Sequence, residues 1–397
     1  MRKPHARPVT QTAQSGKTPK AATPSVLAPI LLWVRAIGSR KAIVQLQSTT
    51  PRPSDLARPA TSEPTPPETD ALHAPAPAKY TPHRIPLPAA VRAGEAEVGG
   101  IKGKIRLRWT YAISIVVLHA IALLATLPYF FSWSGLILCL LGLYIFGTLG
   151  VNLGFHRLLT HRSFKCPQWV ERTVAILGVC CLQEGPARWV AIHRKHHQDA
   201  DEQPDPHSPL VTFLWGHVGW LIVENLDTDS FHLLQRYSRD LASQPFYLSL
   251  EKKLRWLWVY IAHAVIIAAA AFAIGWAITP NLAAAVQFTA SIVLWGVVLR
   301  TVLVWHITWS VNSLSHLWGY QSFQTGENSR NNWFVALISN GEGWHNNHHG
   351  DQRSAAHGHK WYEFDVTYLT IRAMQMVGLA TNVMVPDRHH KHPHAHE

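Results

Sequence analysis

The chain has 397 residues, of which 47% are apolar and only 15% charged, well below the roughly 25% charge usual in soluble domains. That balance excludes a wholly disordered chain, and four cysteines without CxxC spacing exclude a disulfide scaffold, a zinc ribbon and a thioredoxin-like motif. The formal charge of +12 sits at one end: residues 1–108 carry 17 Lys and Arg against 6 Asp and Glu, and the remainder carries 19 against 18. No basic face with stacking aromatics follows, so nucleic acid is not an expected partner.

Residues 1–100 hold 16 of the 26 prolines, with Ala, Thr and Ser between them. Such a segment buries too little apolar surface to offset chain entropy, which predicts a disordered basic Pro/Ala-rich tail. Its apolar run at 26–34 is too short to span a bilayer. The start MRKPHARPVTQT has no apolar run directly after its charges, unlike a secretory signal peptide.

Four long apolar runs come next, at 109–131, 134–155, 256–278 and 282–309, and Arg300 is the one charged residue in the last. A hydrocarbon core about 30 Å thick needs roughly 20 helical residues, so each run can cross. Two residues separate the first pair and three the second, which predicts two tight hairpins. The tail, residues 156–255 and residues 310–397 then share one side, and Lys and Arg near the spans mark that side as cytoplasmic. The reading is an all-α integral-membrane domain over 101–385, with four transmembrane helices in two hairpins and a cytosolic helical cap. A His-rich tail covers 386–397. A shorter apolar stretch at 169–182, broken by Glu171 and Arg172, reads as an interfacial helix.

Twenty-five histidines are too many for background. HRLLTH contains His156 and His161; HRKHH contains His193, His196 and His197; HNNHH contains His345, His348 and His349; NSLSH contains Asn312 and His316. Residues i, i+3 and i+4 share a helix face, so each HxxHH is expected to aim three imidazoles at one point. His156 and His161 are five apart, which requires a helix end or bend. Nine imidazoles can supply two metals with four or five nitrogens each, and neutral imidazole suits Fe, Zn, Cu and Ni. Soluble carboxylate-bridged di-iron proteins carry two Glu-x-x-His pairs, and this chain does not carry two. A metal transporter would carry ligands near the membrane midplane, whereas these gather at one face. His119, His263 and His306 read as packing or structural hydrogen-bonding residues, and His207 and His217 as candidates to orient a ligand. The C-terminal HHKHPHAH lacks apolar anchors and does not read as an active site.

These boxes, with DPHSP, HVGW, NSLSHLWG and GEGWHNNHH, cover about residues 105–385 and resemble the membrane fatty-acyl desaturase family in its Δ9 (stearoyl-CoA desaturase-like) branch. The wording is closest to bacterial and plant-type Δ9 acyl desaturases. The resemblance implies a four-helix transmembrane bundle with a cytosolic cap, two irons bound by the nine histidines, and Asn312 joined to one iron through a water. It implies O2 as co-substrate and two electrons from an external donor of cytochrome b5, ferredoxin or rubredoxin type. The implied product is a cis double bond in a saturated long-chain acyl group on CoA or a glycerolipid, formed at a bacterial inner membrane, with no catalytic side chain beyond the metal centre. His345 opens the third box where front-end desaturases have Gln, and no HPGG haem motif occurs, which favours the Δ9 type without a haem domain. Trp189 matches a family tunnel residue, and Trp309 is a second candidate for the tunnel wall. Animal acyl-CoA enzymes carry an Arg–Lys pair shortly after HVGW and an Arg two residues before the second box. Here Glu224, Asn225 and Ala191 take those places, which removes charge-assisted contacts to phosphate and leaves the carrier open. A membrane di-iron hydroxylase is the alternative, and NSLSHLWG together with HxxxxH argues against it.

Overall fold

Four helices of the computed structural model are long and apolar enough to cross a membrane: Trp109–Thr126, Trp133–Thr160, Pro245–Ile278 and Leu282–His316. Residues 84–92 and 105–386 are described, so most of the expected N-terminal tail and the His-rich end from 387 onward lie outside them. Among the described residues there is no β-strand, only isolated bridges between loops. Val116, Leu123, Ile266 and Ile278 stand exposed on the spans, as lipid-facing residues do. Exposed aliphatic surface of this extent belongs in a bilayer, and the chain is a multi-span membrane protein.

The spans pair as two hairpins. Ser132 and Asn281 cap the returning helices by accepting from Gly135 N at 3.0 Å and Ala284 N at 3.1 Å, satisfying backbone donors that a helix start leaves free. The hairpins are pinned together at this end. Ser291 Oγ and Trp295 Nε1 both donate to Phe130 O, at 2.8 and 3.0 Å. In the third candidate span, Lys253 and Leu254 adopt left-handed φ of 53° and 56°. This breaks the helix, and the continuous crossing segment is Arg255–Ile278.

The second and fourth spans run on beyond the apolar stretches into the cap, and both carry histidines there. The second changes character at Leu143. From Leu143 to Thr160 it is a π-helix, and His161 N donates to His156 O at 3.1 Å, a bond that steps five residues. A spacing that looks awkward for an α-helix is thereby one turn of a π-helix, a form found mostly at functional sites. The Gln168–Val179 helix packs along it. At Gly150 an added Cβ would sit 2.3 Å from Gly178 N, so the two backbones meet where no side chain fits. This stretch, expected to lie at the interface, buries Val170, Val174, Ala175, Gly178 and Val179 on one face and leaves Trp169, Arg172 and Thr173 exposed.

The cap core gathers Phe155, Leu159, Ala175, Val179, Ala187, Val190, Ala191 and Ile192 around the Pro186–Asp199 helix. Glu251 caps that helix from outside, accepting from Ala187 N at 2.8 Å. Residues 84–92, within the stretch expected to be tail, place Val91 against Trp215 and Val223.

Candidate metal centre

The cap brings all nine predicted histidines together, in two groups. His156, His161, His193, His197 and His348 form one, and His196, His316, His345 and His349 the other; within each, the candidate ligand atoms lie within 4.8 Å of one another. This corrects the expectation that each HxxHH aims at one point. At 3.6 residues per turn, neighbouring residues project about 100° apart. His193 and His197 (i, i+4) therefore join the first group and His196 the second. The third box divides in the opposite sense, with His345 and His349 in the second group and His348 in the first. Each HxxHH box straddles both groups and so sets the spacing between them, while His156 and His161 both belong to the first.

The imidazoles converge through Nε2. His156–His348, His348–His197 and His197–His193 are 3.1, 2.9 and 3.0 Å apart in the first group. His345–His316 and His349–His345 are 3.0 and 3.2 Å apart in the second. His161 Nε2 and His196 Nε2 are buried with no hydrogen-bond partner.

Carboxylates decide which nitrogen carries the proton. His156 Nδ1 donates to Glu342 at 2.5 Å, His196 Nδ1 to Asp205 at 3.0 Å and His316 Nδ1 to Asp201 at 2.8 Å; His349 Nδ1 lies 3.5 Å from Glu327. A His that donates from Nδ1 presents a lone pair at Nε2. Lone pairs facing one another at about 3 Å repel unless a cation lies between them. Ligands at right angles around a metal at about 2.1 Å stand about 3.0 Å apart, which matches these separations. The donor set therefore fits two metal ions held by nitrogen.

The electrostatics agree. Burial, reinforced by neighbouring imidazoles, holds His161, His193, His197, His345, His348 and His349 well below the ordinary imidazole range, so they are neutral and ready to ligate at pH 7. Burial disfavours the charged form of Glu342, but Arg157, His357 and His156 outweigh it and hold this carboxyl well below its usual range. Arg157 is fully buried and donates to Glu342 at 2.8 Å and Asp365 at 2.9 Å.

Asp201, Asp205, Glu327 and Glu342 were not singled out by the sequence reading, nor was His357. Their signal lay inside the motifs: Asp205 in DPHSP and Glu342 in GEGW. His357 is buried, stacks 4.3 Å from His348 and lies 3.3 Å from Glu342. Burial, then Arg157, pushes it down to about 4. His207 packs 4.4 Å from His196. His217 instead meets His306 and Ser313, each at 3.0 Å. Asn312 is half-buried, one helical turn before His316.

Trp189 is half-buried and stacks on His193 at 5.1 Å. Its Nε1 donates to Gln183, which donates to Thr308, both at 3.0 Å. Trp309 lines an open cleft of about 400 Å³ with Ile115, Val116, His119, Val218 and His306. Ala191 is buried in the cap core, and the Asn225 side chain caps a short helix by accepting from Asp227 N at 3.1 Å. Nearby guanidinium groups are committed: Arg108 pairs with Asp229, and Arg188 with Glu184 and Asp229.

Comparison with known proteins agrees with this geometry. Residues 131–365 match the model of the fatty acid desaturase family. The chain is 40% identical to an sn-1 stearoyl-lipid 9-desaturase of Anabaena variabilis over 72% of this chain and 97% of that protein. It is 40% identical to an sn-2 palmitoyl-lipid 9-desaturase of Nostoc sp. (strain 36), over 70% and 91% of the two chains. It is also 40% identical to a chloroplastic palmitoyl-monogalactosyldiacylglycerol delta-7 desaturase of Arabidopsis thaliana, over 70% of each. On the match of residues 131–365 to the family model and of 70–72% of its length to these relatives, the chain belongs to the fatty acid desaturase family and is an oxidoreductase acting on fatty-acyl chains.

Proposed function

We propose that this enzyme is an acyl-lipid 9-desaturase that uses two irons, O2 and two electrons from a small external redox protein of cytochrome b5, ferredoxin or rubredoxin type. The observation that carries the proposal is the pair of imidazole groups, five and four, with Nδ1 protons assigned by carboxylates and Nε2 lone pairs turned inward. The five would hold one iron and the four the other, with Asn312 reaching the second through a water. An unactivated methylene has no acidic hydrogen, so acid–base groups cannot remove it, and the bound irons supply the oxidising power. The protein's own residues do the rest. Glu342, Asp205, Asp201 and Glu327 orient the rings. The buried cap keeps water out, and the Trp189–Gln183–Thr308 chain fixes an aromatic wall beside His193, where small shifts of an acyl chain are costly. Trp309 is the second candidate for the tunnel wall.

A glycerolipid carrier is favoured over CoA. A CoA phosphate needs free cations, and here Glu224, Asn225 and Ala191 stand at the relevant places while Arg108 and Arg188 are paired with carboxylates. The names of the cyanobacterial relatives point the same way. The excess of Lys and Arg on the cap side supports a cytoplasmic active site in a bacterial inner membrane.

The test is expression of the full chain in a bacterial host, with gas chromatography–mass spectrometry of derivatised fatty acids from separated lipid classes and from the acyl-CoA pool. A monoene with its bond at C9 that appears first in glycerolipid, and is absent with His196→Ala, is the expected result. A hydroxylated acid in its place would replace the reading with the hydroxylase.

A further inference from the structure

Three histidines outside both imidazole groups form a single file. His119 comes from the first span, His306 from the fourth, and His217 from the π-helical Trp215–Gly219 turn of the cap. The file has five contacts: His119 Nδ1 to Ile115 O at 2.7 Å, His119 Nε2 to His306 Nε2 at 3.0 Å, His306 Nδ1 to His217 Nε2 at 3.0 Å, His217 Nδ1 to Ser313 Oγ at 3.0 Å, and Ser313 Oγ to Trp309 O at 2.7 Å. Both terminal partners are carbonyl oxygens, which only accept. A neutral imidazole brings one N–H and a serine one O–H. Four neutral groups therefore bring four hydrogens to five contacts.

We infer that this file holds one excess proton, shared among the three imidazoles, and hands protons on toward the metal centre. With the extra proton every contact becomes a hydrogen bond of one sense: His119 donates to Ile115 and His306, His306 to His217, His217 to Ser313, and Ser313 to Trp309. The file is linear, each histidine using both ring nitrogens, so it is not a third metal site, which would need lone pairs converging on one point. Trp309 stands 5.3 Å from His306 and 5.7 Å from His217, within the range at which an indole attracts a cation. His306 is exposed in the cleft and Ser313 is fully buried. Ser313 follows Asn312 and precedes His316 by three residues, so the file ends at the foot of the second imidazole group.

The need for such a path follows from the reaction, and the inference rests on the desaturase reading. One saturated acyl chain, one O2, two electrons and two protons yield one alkene and two waters. Two of the four hydrogens in the water leave the methylenes, and the electron donor supplies the two electrons. The other two hydrogens must enter as protons from outside the buried cap.

The test uses the full-length, iron-loaded chain labelled with [15N]histidine, and two variants. At pH 8, where a free imidazole is neutral (pKa about 6.5), the wild type is expected to show an imidazolium 15N signature that disappears in His306→Gln. Glutamine can bridge the same neighbours but cannot hold or transfer the proton. His306→Gln and Ser313→Ala are each expected to keep their iron, lose at least tenfold in kcat and show a larger solvent deuterium isotope effect. Three neutral rings in the wild type at pH 8 would overturn the inference, and so would either variant turning over at the wild-type rate with an unchanged isotope effect. A wild type that forms no unsaturated product would overturn the desaturase reading instead, and the spectrum would still decide the proton count.

Discussion

Glu342→Gln should empty one metal position and spare the other. Glu342 is buried and accepts from His156 Nδ1 at 2.5 Å and from Arg157 Nε and Nη2 at 3.0 and 2.8 Å. Glutamine preserves the shape and its one oxygen can still accept from Arg157, but its NH2 group cannot accept from His156 Nδ1 and the carboxylate charge is gone. Bonds to charged groups are worth roughly 1.5–3 kcal/mol against 0.5–1.5 for neutral ones, so losing the bond from His156 and weakening the two from Arg157 predicts a loss of about 3 kcal/mol in folding stability. The penalty stops short of that for an orphaned buried charge, about 3–5 kcal/mol, because Arg157 keeps Asp365 at 2.9 Å. Losing a partner behind a ligand costs roughly 10–100-fold in metal affinity, or about 1.4–2.8 kcal/mol. The effect should be confined to the five-histidine group, since the other is set by Asp201, Asp205 and Glu327. The assay is iron per chain after dialysis against chelators of graded strength, with gel filtration to verify the fold. The expected result is one iron retained where the wild type retains two. A folded variant that keeps both with unchanged affinity, or loses both together, would refute the reasoning.

The mirror substitution, Asp201→Asn, removes the negative charge that accepts from His316 Nδ1 and Asn328 N at 2.8 and 2.9 Å, and should release the iron of the four-histidine group first in the same assay. Exhaustive chelation of the wild type should lower its thermal unfolding midpoint reversibly, because a ligand bound only by the native state stabilises it; a midpoint indifferent to metal would contradict the inward-facing lone pairs. Gly150→Ala should destabilise by about 1–3 kcal/mol in thermal unfolding, since its Cβ would meet Gly178 N at 2.3 Å. Trp189→Phe keeps a ring over His193 but loses the bond to Gln183, and should spread the double-bond position; a single unchanged monoene at full rate would remove Trp189 from the acyl path.

Much of this architecture is readable in the residues alone, and the parts that are not have physical causes. Spans show as long apolar runs because charges facing lipid are costly, and the exception, Arg300, is buried inside the bundle. The histidine boxes show because imidazole at helical spacing has few other uses in such numbers. The split of each HxxHH between two groups does not show, because projection from one helix says nothing of what it faces. The π-helix carries no local signature either; His156 and His161 indicate only that an α-helix does not suffice. Carboxylates such as Asp201, which is 115 residues from His316, become partners only through the fold. The His119–His306–His217 file is the clearest case. Alone, His119 and His306 read as packing or structural residues and His217 as a candidate to orient a ligand, and the missing proton appears only when three elements are brought together.

Whether five and four imidazoles hold two irons in a working desaturase is decided by metal analysis of the detergent-purified full chain, grown with iron, zinc and copper available, alongside its fatty-acid product. Two irons per chain with a C9 monoene, and neither in a His196→Ala, His348→Ala double variant, is the predicted result. A chain that forms the monoene with no iron, or with a single metal ion, would contradict the account.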